Sequence, residues 1–363
     1  MLHNPLLLAE NDRPLHLELR AESAERDVDG GFPSAGFAAL EARGLTTPSL
    51  KPDGFRHLLR LLAEVGRGDL PVGRIFEGHV NVLALLERHS PAAQSSHYQD
   101  LARKGHLFGI WNTDHPEHPL KLVNGRLVGR KTYASGIDGL SHAIVTAHVP
   151  QGRLMIVVPL EDLPVDRSWW QPMGMRASGS HIVDFTGMEV QDDMILGAPD
   201  AYLERPWFAA GAIRFVAVHV GGMHAVLDIV LEHLRKTRRI EAPYQLQRIA
   251  RMGAAVESGY GWLDRAAAEW SAVAAGSHPA AGLIATVNAA RGFVEAAAMS
   301  VLEDGEKSVG AAGMIAPHPL ERIIRDLRTY LRQPDPDGAQ AALGSALAAG
   351  DWHPGACYQQ PRT

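Results

Sequence analysis

The chain has 363 residues, enough for two or three domains at roughly 150 residues each. Apolar residues make up 46% and charged residues 21%, which excludes disorder as the general state. Lys and Arg number 35 against 41 Asp and Glu, a net charge of -6 that argues against nucleic acid as the main partner, because phosphate binding favours a basic surface. The single cysteine, Cys357, can form no intrachain disulfide and points to a reducing compartment. No charge-free apolar run reaches the length of about 18 residues that a membrane span needs. Glu10, Asp12 and Arg13 follow Leu6–Leu8 too closely for a secretory leader, so a cytoplasmic location is expected.

Residues 1–105 read as short helices. Phe37, Leu40 and Leu45 fall near helical spacing within 32–45, with Gly44 placed to stop the helix. Apolar stripes follow at 54–64 (Phe55, Leu58, Leu59, Leu62) and at 73–88 (Ile75, Val80, Leu83, Leu86), and 97–104 is again helix-like. Residues 106–200 change character. Asn124-Gly125 separates two strand-like arms within 120–134, and both residues tolerate the positive φ of a type I′ hairpin turn. Runs at 141–149, 153–160 and 180–190 are further strands. Residues 201–363 return to helix. Pro206 suits a first turn, and a long apolar period leads to the basic cluster Arg235, Lys236, Arg238 and Arg239, which complements the helix dipole. Further helices are predicted at 245–275, 283–304, 319–332 and 337–349, a bundle of four or five. Gly221-Gly222 in mid-helix implies close packing or the approach of a flat ligand.

A helical domain (1–105), a small β domain (106–200) and a helical bundle (201–363) form an α+β order that resembles the acyl-CoA dehydrogenase superfamily of flavoproteins. Local stretches carry the resemblance. "FPSAGFAALEARGL" (32–45) is similar to the family's first helix, and "GRKTYASG" (129–136) to its hallmark strand. "GIWNTD" (109–114) stands where the family has Thr-Glu-Pro, and "MGMRASGSHIVDFTGMEV" (173–190) resembles its Met-Gly-x-Arg-x-Ser stretch. "GAAGM" (310–314) resembles a glycine loop, and "HPLERIIRD" (318–326) the Arg-Asp signature of the last bundle helix. The resemblance implies an N-terminal helical domain, a central β-barrel and a C-terminal four-helix bundle. It implies FAD, with FMN as the alternative, lying in a crevice between the β layer and the helices, and a homodimer or homotetramer. By the same resemblance Trp111, Asn112 and Thr113 contact the isoalloxazine, Tyr133 walls the ring and Ser135 reaches its reactive edge. Arg238, Gly310, Ala311 and Gly313 are then assigned to a dinucleotide of a neighbouring subunit. Tyr133 and Ser135 stand two apart, so a regular strand would turn both to one face.

The departures bear on mechanism. The family's catalytic glutamate would fall near Pro334, which carries no base, with Asp335 and Asp337 close by; the family's alternative position, before Arg214, is Ile213. "YASG" (133–136) fits the family's flavin monooxygenases better, yet their histidine would fall near Gln333. "HPEHPLKL" (115–122) replaces a Gly-Ser-Asp stretch, and "RKTRRIEAPY" (235–244) lacks the family's aromatic-glycine pair. The first expectation is therefore an FAD-dependent oxidoreductase acting on an acyl thioester or related acyl group, with its base unidentified and an electron-transfer partner or flavin reductase. The alternatives are a two-component flavin monooxygenase and a non-catalytic protein that keeps the fold. The cluster Asp114, His115, Glu117 and His118 reads as a solvated loop rather than a metal site. His219 and His224 read as core or interface residues, and Arg325-Asp326 as a structural ion pair. Trp169-Trp170 is left between interface patch and lid.

Overall fold

A computed structural model of the chain describes residues 13–332 and 335–355. Six helices open it: α1 (Leu15–Arg20), α2 (Ser23–Asp29), α3 (Ser34–Ala42), α4 (Phe55–Gly68), α5 (Leu70–His89) and α6 (Ala92–Arg103). The stripes at 54–64 and 73–88 are the buried faces of α4 and α5, each longer than its stripe. Asp69 separates the two helices. Its extended backbone ends α4, and its carboxylate accepts a hydrogen bond from Val72 N, capping α5.

Nine short strands follow: β1 (Phe108–Trp111), β2 (Lys121–Val123), β3 (Arg126–Val128), β4 (Arg130–Ala134), β5 (His142–Val149), β6 (Gly152–Pro159), β7 (Val165–Asp166), β8 (His181–Asp184) and β9 (Ile195–Leu196). The Asn-Gly turn forms as expected: Asn124 and Gly125 have φ of 50° and 75°, and β2 pairs antiparallel with β3. β5 is the spine of the larger sheet. β6 pairs antiparallel along its length, from His142↔Pro159 to Val149↔Gly152. Its other edge takes β1 in parallel and, at His148, β2. β4, β8 and β7 make a second sheet. Where the sequence leads to a barrel, the ladders form two sheets joined by isolated bridges, Asp114↔Lys131 and Pro119↔Arg130 among them. Within the second sheet the β4–β8 register shifts between Lys131 and Ala134, a bulge with β4 paired to β8 on both sides of it.

The last part holds α7 (Trp207–Gly211), α8 (Ile213–Lys236), α9 (Pro243–Ala274), α10 (Ala280–Val309), α11 (Pro319–Tyr330) and α12 (Pro336–Ala349). The stretch Trp207–Lys236 is apolar and long enough to cross a membrane by composition, but 67% of that window is buried inside the protein, as befits a core helix. Its closest neighbour is α4, from the other end of the chain. A Cβ on Gly221 would lie 2.0 Å from Ala63 O, and one on Gly66 would lie 2.5 Å from Val218 O. The Gly221 backbone therefore touches that of α4, and Leu70 and Leu327 lie against Gly222, so packing accounts for the glycine pair. Arg67 adds a bidentate ion pair to Asp228 of α8 at 2.7 and 2.9 Å.

The β layers are tied to the helices through the Arg-Asp signature. Asp326 does not pair with Arg325. It accepts from Met175 N at 2.6 Å and meets Arg322 at 3.2 Å. Arg322 also lies 3.7 Å from Asp69, the cap of α5. Burial pushes Asp326 up to about 6 against the pull of Arg322. Gly174 is pressed onto α11, where a Cβ would lie 2.2 Å from Arg325 O, and its N–H donates to Thr329 Oγ1. Arg325 turns outward to Asp27 and Glu321.

Two consequences are measurable. Gly221→Ala forces α4 and α8 apart and should lower unfolding stability by about 1–3 kcal/mol or more, whereas Gly253→Ala on α9, with open space around its Cβ, should gain about 0.5–1 kcal/mol; urea melts of both variants give the comparison. His79 is fully buried, donates from Nε2 to Thr46 O at 2.8 Å and accepts at Nδ1 from Phe108 N. Burial pulls it down from 6.5 to about 4. Below pH 6.5 the unfolded chain takes up a proton that the folded chain refuses, so stability contributed by this site is complete above 6.5 and falls towards pH 4, by up to about 3 kcal/mol. His79→Gln, which cannot titrate, should flatten that part of the stability–pH curve.

Candidate active site

A cavity of about 1600 Å³ opens between the sheets and the helices. Its β side is built by the end of β1, the turn after β4 and the 169–180 loop. Trp111 is buried and donates from Nε1 to Ser135 O at 3.2 Å, so the two segments are fixed to each other. Behind them lies Lys131, whose side chain has no exposure. Its ammonium donates to Asp114 Oδ1 (2.6 Å), Asn112 O (3.0 Å) and Thr146 Oγ1 (3.1 Å). Burial pulls Lys131 down to about 8 against the attraction of Asp114. Burial pushes Asp114 up, yet Lys131 and His148 hold it below the ordinary carboxylate range. The 111–114 segment is thus stapled to β4 from beneath. Asp114 is an anchor with Lys131, His148 and Arg153 as partners rather than part of a solvated loop. Among the described residues no group of three or more His, Cys, Asp and Glu could hold a metal ion.

Tyr133 and Ser135 both line the cavity, but not by strand alternation. Tyr133 has a φ of 54°, in the left-handed region, and Ser135 lies one residue beyond β4. The bulge turns the Tyr133 ring to the mouth, 51% exposed, while Ser135 is buried. Trp169 meets the Tyr133 ring edge-on at 5.0 Å and Trp170 at 6.2 Å, so the tryptophan pair is the rim of the cavity. Inside, Ser135 Oγ lies 2.7 Å from Ser180 Oγ, which lies 2.9 Å from Ser178 Oγ, a chain of three hydroxyls.

The helical side is aromatic. Phe55 stacks on Trp270 at 4.2 Å, and Trp207 meets Trp270 at 5.1 Å. Polar groups come from α5 and α8. Glu77 pairs with Arg74 at 2.7 Å and accepts from Asn81 Nδ2, and Asn81 Oδ1 accepts from Arg214 Nη1 at 3.0 Å. Tyr330 closes the end of α11; its hydroxyl is buried without a partner. His219 meets the Tyr330 ring edge-on at 4.5 Å, and burial pulls it down to about 3, leaving it neutral.

Of the residues singled out from sequence, Trp111, Asn112, Thr113, Tyr133 and Ser135 share this cavity. Arg238, Gly310, Ala311 and Gly313 do not line it. Arg238 follows α8, and the glycine loop follows α10; Arg239 binds the two turns together through Ser308 O at 3.0 Å. A Cβ on Gly313 would press on Val309 and Leu320, which gives that glycine a packing role. Gln333 and Pro334, the places of the family's histidine and glutamate, lie outside the described residues. Asp335 reaches the cavity but caps α12 through Gly338 N at 3.0 Å, and Ile213 is wholly buried. Lys131, Glu77, Asn81 and Arg214 were missed. The charged residues set within the apolar run 72–83 and the lone arginine near the start of α8 were the signals available.

Comparison with known proteins gives the same class. The family model for the acyl-CoA dehydrogenase C-terminal domain matches residues 203–331. Dibenzothiophene monooxygenase of Rhodococcus erythropolis is 24% identical, with 89% of each chain covered. The structure of TdsC from Paenibacillus sp. A11-2 with FMN and indole superposes with a TM-score of 0.81 at 19% identity, covering 93% of this chain and 95% of that one. XiaF from a Streptomyces species, in complex with FADH2 and glycerol, superposes with a TM-score of 0.78 at 19% identity over 92% and 93% of the two chains. The chain thus has an acyl-CoA dehydrogenase-like fold, with residues 203–331 matching the C-terminal domain of that family.

The left-handed backbone at Tyr133 gives a test of the turn itself. Tyr133→Gly should be more stable than Tyr133→Ala by about 1 kcal/mol, the reverse of an ordinary strand position, because only glycine occupies that φ without strain. Denaturant midpoints of the two variants decide it.

Proposed function

We propose that the chain is the oxygenase component of a two-component flavin-dependent monooxygenase, supplied with reduced flavin by a separate reductase. The observation that carries this reading is the pairing of two walls across one cavity. On one side stand Trp111, Tyr133 and Ser135, and on the other Phe55, Trp207 and Trp270. The residues fit a flavin: a flat, largely apolar ring needs an aromatic wall and a few hydrogen-bond partners at its polar edge. The Tyr133 and Trp169 rings form the wall, and the Ser135 hydroxyl and the Thr113 side chain supply the edge. When bound, reduced flavin supplies the electrons and activates molecular oxygen.

The protein's own part is to exclude water and to handle a proton. The aromatic side keeps bulk water from the reacting atoms. The chain from Ser135 through Ser180 to Ser178 can pass a proton between hydroxyl oxygens without any of them becoming charged. Acyl-thioester oxidation, the first expectation from sequence, needs a free carboxylate beside the substrate. Among the described residues the one buried carboxylate on the cavity wall is Glu77, and Arg74 and Asn81 occupy it. The names of the relatives, dibenzothiophene monooxygenase among them, favour the same choice. Arg238 and the 310–313 loop are then available to the flavin of a neighbouring copy in a homodimer or homotetramer.

Anaerobic mixing separates the two chemistries. The protein should bind reduced FMN or FAD, and an acyl-CoA should leave the oxidised flavin unreduced; with oxygen-18 gas and a reductase, label should enter the product. Rapid bleaching of bound flavin by acyl-CoA without oxygen would overturn the proposal.

A further inference from the structure

We propose that Arg214 is the recognition point for a substrate carboxylate, carried on an apolar or aromatic body that lies against the helical side of the cavity. The inference rests on the monooxygenase reading for the word substrate; the anion site itself needs only the residues described here.

Arg214 is 8% exposed and lines the cavity. A buried guanidinium ordinarily has a carboxylate partner, because the loss of hydration is otherwise uncompensated. Four other arginines on the cavity wall, all more exposed than Arg214, have carboxylate partners: Arg74 pairs with Glu77, Arg88 with Glu204, Arg328 with Glu306 and Arg332 with Glu295. Among the described residues no carboxylate lies in ion-pair contact with Arg214. Its Nη1 donates to the neutral amide of Asn81. Its Nε is buried and meets no acceptor. The faces of Trp270 and Phe55 lie 5.4 and 5.6 Å from its central carbon, which returns part of the lost hydration and fixes the plane of the group. Burial pulls it down to about 10, still cationic at neutral pH.

The free donors select the ligand. With Nη1 held by Asn81 and Nε enclosed, Nη2 is the donor left to the cavity, and it can give a carboxylate a charge-assisted hydrogen bond. Glu77 lies one hydrogen bond beyond Asn81, so the local field suits a single negative charge better than a doubly charged phosphate. The surrounding rings of Phe55, Trp207 and Trp270 suit a flat hydrocarbon body. Asn81 is a positioning residue in this scheme, since it acts by orienting Arg214.

The test is tryptophan-fluorescence titration of the full flavin-free chain with 2-naphthoate and decanoate, each beside its primary amide. At pH 7 at least one acid should bind tenfold or more tighter than its amide. Arg214→Gln should weaken that acid at least tenfold and leave the amide unchanged, while Arg214→Lys should restore part of the preference. Equal affinity for acid and amide in the unaltered protein overturns the inference without any variant having to fold. Loss of reduced-FMN and reduced-FAD binding in Arg214→Gln with the acid preference intact also overturns it, by assigning Arg214 to the flavin. An unaltered protein that selects the acid but binds no reduced flavin supports the anion site and removes the monooxygenase reading alone.

Discussion

The hydrogen bond from Met175 N to Asp326 is the contact on which the cavity depends. It joins a loop of the β layers to the last long helix, and Arg322 carries the tie on to Asp69 at the head of α5. Three distant parts of the chain thereby meet at one buried, charged junction. An unpaired charge there would be costly, so the junction tolerates little displacement. Gly174 makes the approach close enough, since any side chain at that position would strike the backbone of α11. With this junction in place, the segment that follows brings Ser178 and Ser180 to the floor of the cavity, and the segment before it brings Trp169 and Trp170 to the rim.

The two walls so positioned differ in kind. The β side offers hydroxyls and one exposed phenol ring, underlain by the Lys131–Asp114 pair. The helical side offers stacked rings with a thin seam of charge running from Arg74 through Glu77 and Asn81 to Arg214. The first suits a redox ring with a polar edge, and the second suits an organic molecule that must be held dry and in one orientation.

Much of the scaffold was legible in the sequence because its signals are local. Asn124-Gly125 specified a hairpin through backbone sterics alone, and the apolar stripes at 54–64 and 73–88 marked α4 and α5 through periodicity. The five residues of the β side were legible by resemblance, since they lie in two short stretches. The bulge at Tyr133 was not, because nothing in "RKTYASG" demands a left-handed residue before the turn; the demand comes from the second sheet. The helical side was also hidden. Phe55, Trp207 and Trp270 come from three helices and look like ordinary core residues until the bundle assembles. Arg214 read as a neighbour of an inert position, because its isolation from carboxylates is a property of the assembled protein.

The contact of Gly66 and Ala63 with α8 has a temporal consequence. The two helices are separated by about 150 residues of chain, including all of the strands, so their pairing has high contact order and closes late. At a synthesis rate of about 5–20 residues per second, α4 is made roughly 7–30 seconds before its partner exists. During that interval the strip of α4 at Ala63 and Gly66 lacks the α8 backbone that covers it in the folded protein, and only the neighbouring helices α1 and α5 are at hand.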